Sequence, residues 1–152
     1  TMAKSQIGRN LLRADAVVPF SVLKEAATTS TQTLVNLPAG AVVQDCFVDV
    51  VAPYNAASGI TNVTLDVGIS GDTDAFFDAT SMFNGTATAA TRYATEFQGA
   101  TGYKNRVISS ATDIIGTFTA TGANFGDGSS STLNAGTIRI TVLYHQLPIA
   151  GA

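Results

Sequence analysis

Apolar and polar residues alternate with a period of two along most of this chain, in short runs separated by turn residues. The clearest run is NVTLDVGI (62–69), where Val63, Leu65, Val67 and Ile69 point one way and Asn62, Thr64, Asp66 and Gly68 the other. That pattern predicts a half-buried β-strand. DIIGTFTAT (113–121) repeats it with Ile114, Gly116, Phe118 and Ala120 on one face. TIRITVLYHQL (137–147) does so with Ile138, Ile140, Val142 and Tyr144 facing in. The longest apolar run is AVVQDCFVDVVAPY (41–54). Strict alternation puts Val42, Cys46, Val48 and Val50 on one face, and Val43, Asp45, Phe47, Asp49 and Val51 on the other. Both faces are partly apolar, as in a strand buried on one side and touching a neighbour on the other. Pro53 is expected to end it. Two more strands are read over VVPFSVLK (17–24), with Pro19 at an edge or strand start, and TQTLVNL (31–37), which leads into the turn LPAG (37–40).

The remaining segments are less regular. GDTDAFFD (71–78) reads as an acidic turn. Residues 80–105, rich in Thr, Ala and Gly, read as a long connection with short strands near Phe83 and from Tyr93 to Phe97. NFGDGSSST (124–132) reads as a flexible, exposed loop. Residues 1–16 carry Lys4, Arg9 and Arg13 among scattered apolar side chains, with Ile7, Leu11 and Ala14 at helical spacing. They are expected to form an extended N-terminal arm ahead of a domain spanning 17–152. About eight strands, no long helix and no fixed repeat predict an all-β fold, a β-sandwich or jelly roll.

Composition sharpens this picture. The 152 residues are enough for one domain with its own core. Only 12% of them are charged, about half the ~25% usual in soluble proteins. A surface so poor in charge is expected to be covered by partners, or kept soluble by Thr, Ser, Asn and Gly. Eight basic residues against 11 acidic ones give a net charge of −3. That excludes the basic footprint of non-specific nucleic-acid binding. The opening TMAKSQIGRN has no apolar core of signal-peptide length, and no stretch approaches the ~20 apolar residues of a membrane span. Neither a nucleic acid nor a membrane is therefore expected as a partner. Thr1 ahead of Met2 points to a processed or added residue.

Candidate chemistry is sparse. Cys46 is the only cysteine, which rules out an intrachain disulfide, and its apolar strand makes it a core residue. His145 is the only histidine and lies opposite the Ile138–Tyr144 face, with no G-x-S-x-G motif in the chain. Asp72, Asp74 and Asp78 could offer carboxylates to Ca²⁺, but their run lacks the glycine and terminal Glu of an EF-hand loop. Solvated turn carboxylates are the plainer reading. Asp66 with Glu96 could form a glycosidase pair, although the sequence does not fix their separation and there is no Trp to stack a sugar. GANFGDG (122–128) lacks the Walker lysine and reads as a loop. No catalytic, cofactor or metal residues are assigned, and the chain is expected to work by packing and binding, not as an enzyme.

One further reading rests on resemblance. LPAGAVVQDCFVDVVAPYN (37–55), followed by NVTLDVGISGDTDAFFD (62–78), resembles a pattern found in small virion proteins of tailed bacteriophages. The closing TIRITVLYHQLP (137–148) is loosely similar to the end of the same proteins. The resemblance implies a capsid decoration or cement protein, forming homo-oligomers (trimers foremost) on the major capsid protein lattice at the virion surface, and assembled in the host cytoplasm. Within it, residues 1–20 would act as a docking arm, with Arg9 and Arg13 meeting acidic capsid groups and Leu11 and Leu12 entering apolar pockets. Alternatives are a tail or fibre component, a carbohydrate-binding or adhesin module using Phe83, Tyr93 and Tyr103, and a glycan hydrolase.

Overall fold

The alternating runs form strands, and the inward half of each makes one core. A computed structural model describes residues 11–56, 59–86, 92–94 and 106–147. Among these residues nine strands follow in chain order: β1 (Leu12–Pro19), β2 (Thr29–Leu37), β3 (Ala41–Ala56), β4 (Asn62–Ile69), β5 (Asp72–Phe83), β6 (Arg92–Ala94), β7 (Arg106–Val107), β8 (Thr112–Thr121) and β9 (Leu133–Gln146). Among the described residues the only helical element is a single 3₁₀ turn, Phe20–Val22.

The pairing is nested. β1 pairs with β9, β2 with β8, β3 with both β6 and β7, and β4 with β5, all antiparallel. The chain is thus one long hairpin doubled back at Ser70–Gly71 and rolled up, so that successive pairs fall into opposite sheets. Contacts of β9 with β3 and of β8 with β4 close the roll. The first sheet has the order β1-β9-β3-β6, with β7 also on β3, and the second has β2-β8-β4-β5. Two sheets wound in this way are a jelly roll, a β-sandwich, as the strand pattern predicts.

Alternation delivers the core directly on three strands. Val63, Leu65 and Val67 of β4, Ile114, Phe118 and Ala120 of β8, and Ile138, Ile140 and Val142 of β9 are all buried. Tyr54 of β3 and Phe118 of β8 meet edge to face between the sheets, with ring centroids 6.4 Å apart. Tyr54 also donates its hydroxyl hydrogen to the Val18 carbonyl at 2.7 Å, which ties β3 to β1. Gly136 of β9 lies against Tyr54 with φ +120°, and a Cβ there would stand 2.2 Å from Tyr54 Cδ1.

Four expectations are corrected. Pro53 does not end β3, which runs on to Ala56; the proline sits where the register with β9 slips between Ala52 and Asn55, so no ladder donor is lost there. The faces of β3 are also reassigned. Val43 lies opposite Tyr144 and Asp45 opposite Leu143, leaving Gln44 as a bulge that reverses the alternation. Val43 is therefore buried and Val42 only half-buried. The expected acidic turn is mostly strand: β5 begins at Asp72, and Ala75, Phe76 and Phe77 are buried in succession. The 124–132 segment is anchored and not a loose loop. Phe125 is fully buried, and Phe125, Gly126 and Gly128 donate backbone hydrogen bonds to Ala27, Glu25 and Lys24.

The boundary expected after residue 16 falls inside β1, whose Leu12–Ala16 already pair with Tyr144–Ile140 of β9. Residues 1–10 lie outside the described residues. The LPAG turn forms as read, with Ala41 donating to the Pro38 carbonyl and Gly40 at φ +86°. A side chain at Gly40 would press on Gln146 and on the Leu147 carbonyl.

Candidate interaction surface

With one face of each strand in the core, the first sheet presents its other face outward. Register sets the rows. Val17, Arg139, Asp49 and Arg92 lie side by side across β1, β9, β3 and β6; the next row runs Asp15, Thr141 and Phe47, and the next Arg13, Leu143 and Asp45. Three arginines and three aspartates are thus placed among apolar and hydroxyl side chains.

Asp49 is the centre of the first row, with a side chain only 13% exposed. Arg92 grips it with two bonds, Nε to Oδ1 at 2.6 Å and Nη2 to Oδ2 at 3.1 Å, the bidentate geometry that makes arginine–carboxylate pairs directional. The same guanidinium lies 5.0 Å from the Phe47 ring centroid. The bond to Asp49 raises the Arg92 pKa further. Arg139 approaches Asp49 Oδ2 to 3.8 Å, and its own Nε is buried without a hydrogen-bond partner. On the second row Asp15 accepts from Arg13 Nε at 2.7 Å and from Thr141 Oγ1 at 2.6 Å. The Arg13 bond foremost, together with that of Thr141 and the nearby arginine charges, holds the Asp15 carboxyl below the usual range despite some desolvation. Arg13, read from the sequence as free for a partner, is therefore engaged within its own strand.

Apolar side chains frame this face at the β1 edge. Leu11 is 52% exposed and Val17 61% on this face, Leu12 is 39% exposed on the other face of the strand, and Val22 ends the 3₁₀ turn. Val51 and Val107 are exposed on β3 and β7. No aromatic ring appears among these exposed large apolar residues, and Phe83, considered for sugar stacking, is buried. The side chains of Tyr93 and Tyr103 lie outside the described residues.

The other sequence candidates are spread apart. Cys46 is fully enclosed, and burial pushes its thiol well above the ordinary range, so it is a core residue with no thiolate to offer. His145 lies on the opposite face of the sheet from Cys46, in a groove of about 140 Å³ with Val42, Gln44, Gln146 and Leu147. Its Nδ1 has no hydrogen-bond partner. Asp66 is occupied structurally: its carboxylate accepts the N–H of Ala79, where β5 kinks through φ +46°. Glu96 lies outside the described residues. Asp74 is raised by a hydrogen bond to Asp72 and by the charges of Asp72 and Asp78, a sign of crowded carboxylates at the hairpin. Among the described residues no three His, Cys, Asp or Glu side chains gather in a metal-binding set. The Asp49–Arg92–Arg139 cluster was missed by the sequence reading. Its only sequence signal is opposite charges at outward strand positions, and which strands adjoin cannot be read from one chain.

No protein-family model matches the chain, and no curated protein matches it either. The chain shares its fold with phage capsid chains. A chain of the cyanophage Pam1 capsid asymmetric unit superposes with a TM-score of 0.64 at 18% identity, covering 97% of this chain and 92% of that one. A chain of the acid-stable capsid of Helicobacter pylori bacteriophage KHP30 gives 0.56 at 20% identity, covering 93% and 91%. A chain of the Ralstonia phage GP4 capsid gives 0.54 at 18% identity, covering 98% and 93%.

Proposed function

We propose that this protein is a structural component of a tailed-phage virion, a decoration or cement protein that binds the capsid lattice at its surface and stabilises the head. The observation that carries the reading is the near-complete mutual coverage with the Pam1, KHP30 and GP4 capsid chains. The likeness extends over the whole jelly roll and is not confined to one motif. Coverage above nine-tenths of both partners means those chains are also about this size. Jelly rolls serve many functions, so the fold alone does not assign one. The low charge and the outward face of the first sheet support a protein-binding role. Arginine and aromatic side chains such as Arg92 and Phe47 are the types enriched where proteins meet.

In this reading the major capsid protein is the partner, and many identical attachments convert modest single-site affinity into avidity. With Leu12–Ala16 committed to β1, the docking segment is residues 1–10, carrying Lys4, Ile7 and Arg9. The test is co-sedimentation with capsids stripped of this protein. The full chain is expected to pellet with them and to raise the temperature at which they release DNA. A version lacking residues 1–10 is expected to bind at least tenfold more weakly, ~1.4 kcal/mol or more. A full chain that stays in the supernatant at every capsid concentration would sink the virion reading; equal binding by the shortened chain would remove only the arm.

A further inference from the structure

Edge strands expose a row of backbone donors and acceptors, and proteins usually blunt them with bulges, charges or short length. Three edges here are blunted. β2 carries a register break between Thr33 and Val35, β5 carries three against β4, and β6 is three residues long. β1 is different: eight residues pair with β9 in unbroken register, and no described strand lies on its other side. The large apolar residues Leu12 and Val17 on this strand, and Leu11 just before it, are exposed.

The sequence of this edge is close to a palindrome. Residues 11–17 read Leu-Leu-Arg-Ala-Asp-Ala-Val, centred on Ala14. We propose that β1 pairs with β1 of a second copy, antiparallel about a two-fold axis at Ala14, so that the first sheets of the two copies become continuous. In that register Leu11 stands opposite Val17 of the second copy and Arg13 opposite its Asp15, both on the outward face. On the inward face Leu12 meets Ala16 and Ala14 meets itself. Every cross-strand pair is apolar with apolar or positive with negative, and the two-fold makes each occur twice except Ala14 with itself, which lies on the axis. Within one copy Arg13 already holds Asp15 at 2.7 Å. In the pair the four groups close into a ring of alternating charge. Pro19, which has no N–H to donate, falls outside the paired span. A partner whose outward charges ran in another order would face Arg13 with no carboxylate, so the charge pattern selects a second copy of this chain. The contact is isologous and closes at two copies. A trimer would need a head-to-tail contact, which a palindromic strand does not supply.

The test is the mass of the free full-length protein by analytical ultracentrifugation, from micromolar to millimolar, with no capsid present. A monomer–dimer equilibrium is expected. Arg13→Asp places like charges opposite each other twice and is expected to weaken the dimer about tenfold or more. Combining it with Asp15→Arg is expected to restore dimerisation, because the order of charges is reversed but still complementary. A register-specific check is independent of affinity. Leu11→Cys with Val17→Cys is expected to form disulfides between copies under oxidation, since directly opposite residues lie ~4.5–5.5 Å apart at Cα, within disulfide reach. Within one strand the same two positions are ~20 Å apart and cannot join. Neither single variant is expected to cross-link in this register. A monomer at all concentrations, a three-copy mass, a dimer indifferent to Arg13→Asp, or a double-cysteine protein that never cross-links would each overturn the proposal. If Arg13→Asp fails to fold, the cysteine pair still decides. Capsid binding is not part of the readout, so failure here leaves the virion reading standing.

Discussion

Tyr54 joins three strands at one point: its ring packs on Phe118 of the facing sheet, its hydroxyl holds the Val18 carbonyl of β1, and its backbone lies against Gly136 of β9. Burial pushes the phenol above its ordinary pKa, which favours the protonated, donating form. Tyr54→Phe leaves a carbonyl without its partner and is expected to cost about 1–2 kcal/mol in urea unfolding. Gly136→Ala should be worse. The added Cβ meets Tyr54 backbone atoms at 2.5 and 2.7 Å in a backbone conformation L-residues rarely adopt. About 3 kcal/mol or more is expected from overpacking and strain together. A loss below that of Tyr54→Phe would show that β3 and β9 are not clamped here as described.

At the scale of elements, β1 is the strand whose attachment depends on ionisation. Asp15 bonds Thr141 of β9 and Arg13, and its folded-state pKa is lowered. The stability it contributes is therefore present above the unfolded value of ~3.9 and lost as pH falls through the lower folded value. Acid below about pH 4 is expected to lower amide protection factors along β1 before those of β4 or β8 change. Asp15→Asn should flatten that dependence, and unchanged protection of β1 at low pH would contradict it. The elements also show what a single sequence discloses. β4, β8 and β9 were legible because an unbroken period of two maps straight onto burial. β3 was half legible: the bulge at Gln44 inverts its faces, and nothing in the run AVVQDC marks which residue will be the extra one. β5 was hidden because Ala75, Phe76 and Phe77 are buried in succession and Ala79 turns through a positive φ, held by Asp66 from the neighbouring strand. Asp49 and Arg92 are 43 residues apart in sequence. Their meeting depends on strand order, which is a property of the whole chain.

That strand order bears on how the whole molecule comes into being. The last strand, β9, inserts between β1 and β3, and the preceding long strand, β8, inserts between β2 and β4. Both sheets are therefore missing a central member until the C-terminal third of the chain has left the ribosome. An emerging chain can close the β4–β5 hairpin, but it leaves β1, β2 and β3 without their main partners. Dominance of long-range pairing of this kind is associated with folding in milliseconds to seconds rather than microseconds. Single-jump refolding is expected in that range, and a chain truncated before Leu133 is expected to show no cooperative unfolding at all. Synthesis thus has a built-in delay: until β9 is made, the cell holds a chain with open strand edges, and self-association would have to wait for that strand. A protein with this topology has no useful half-made state.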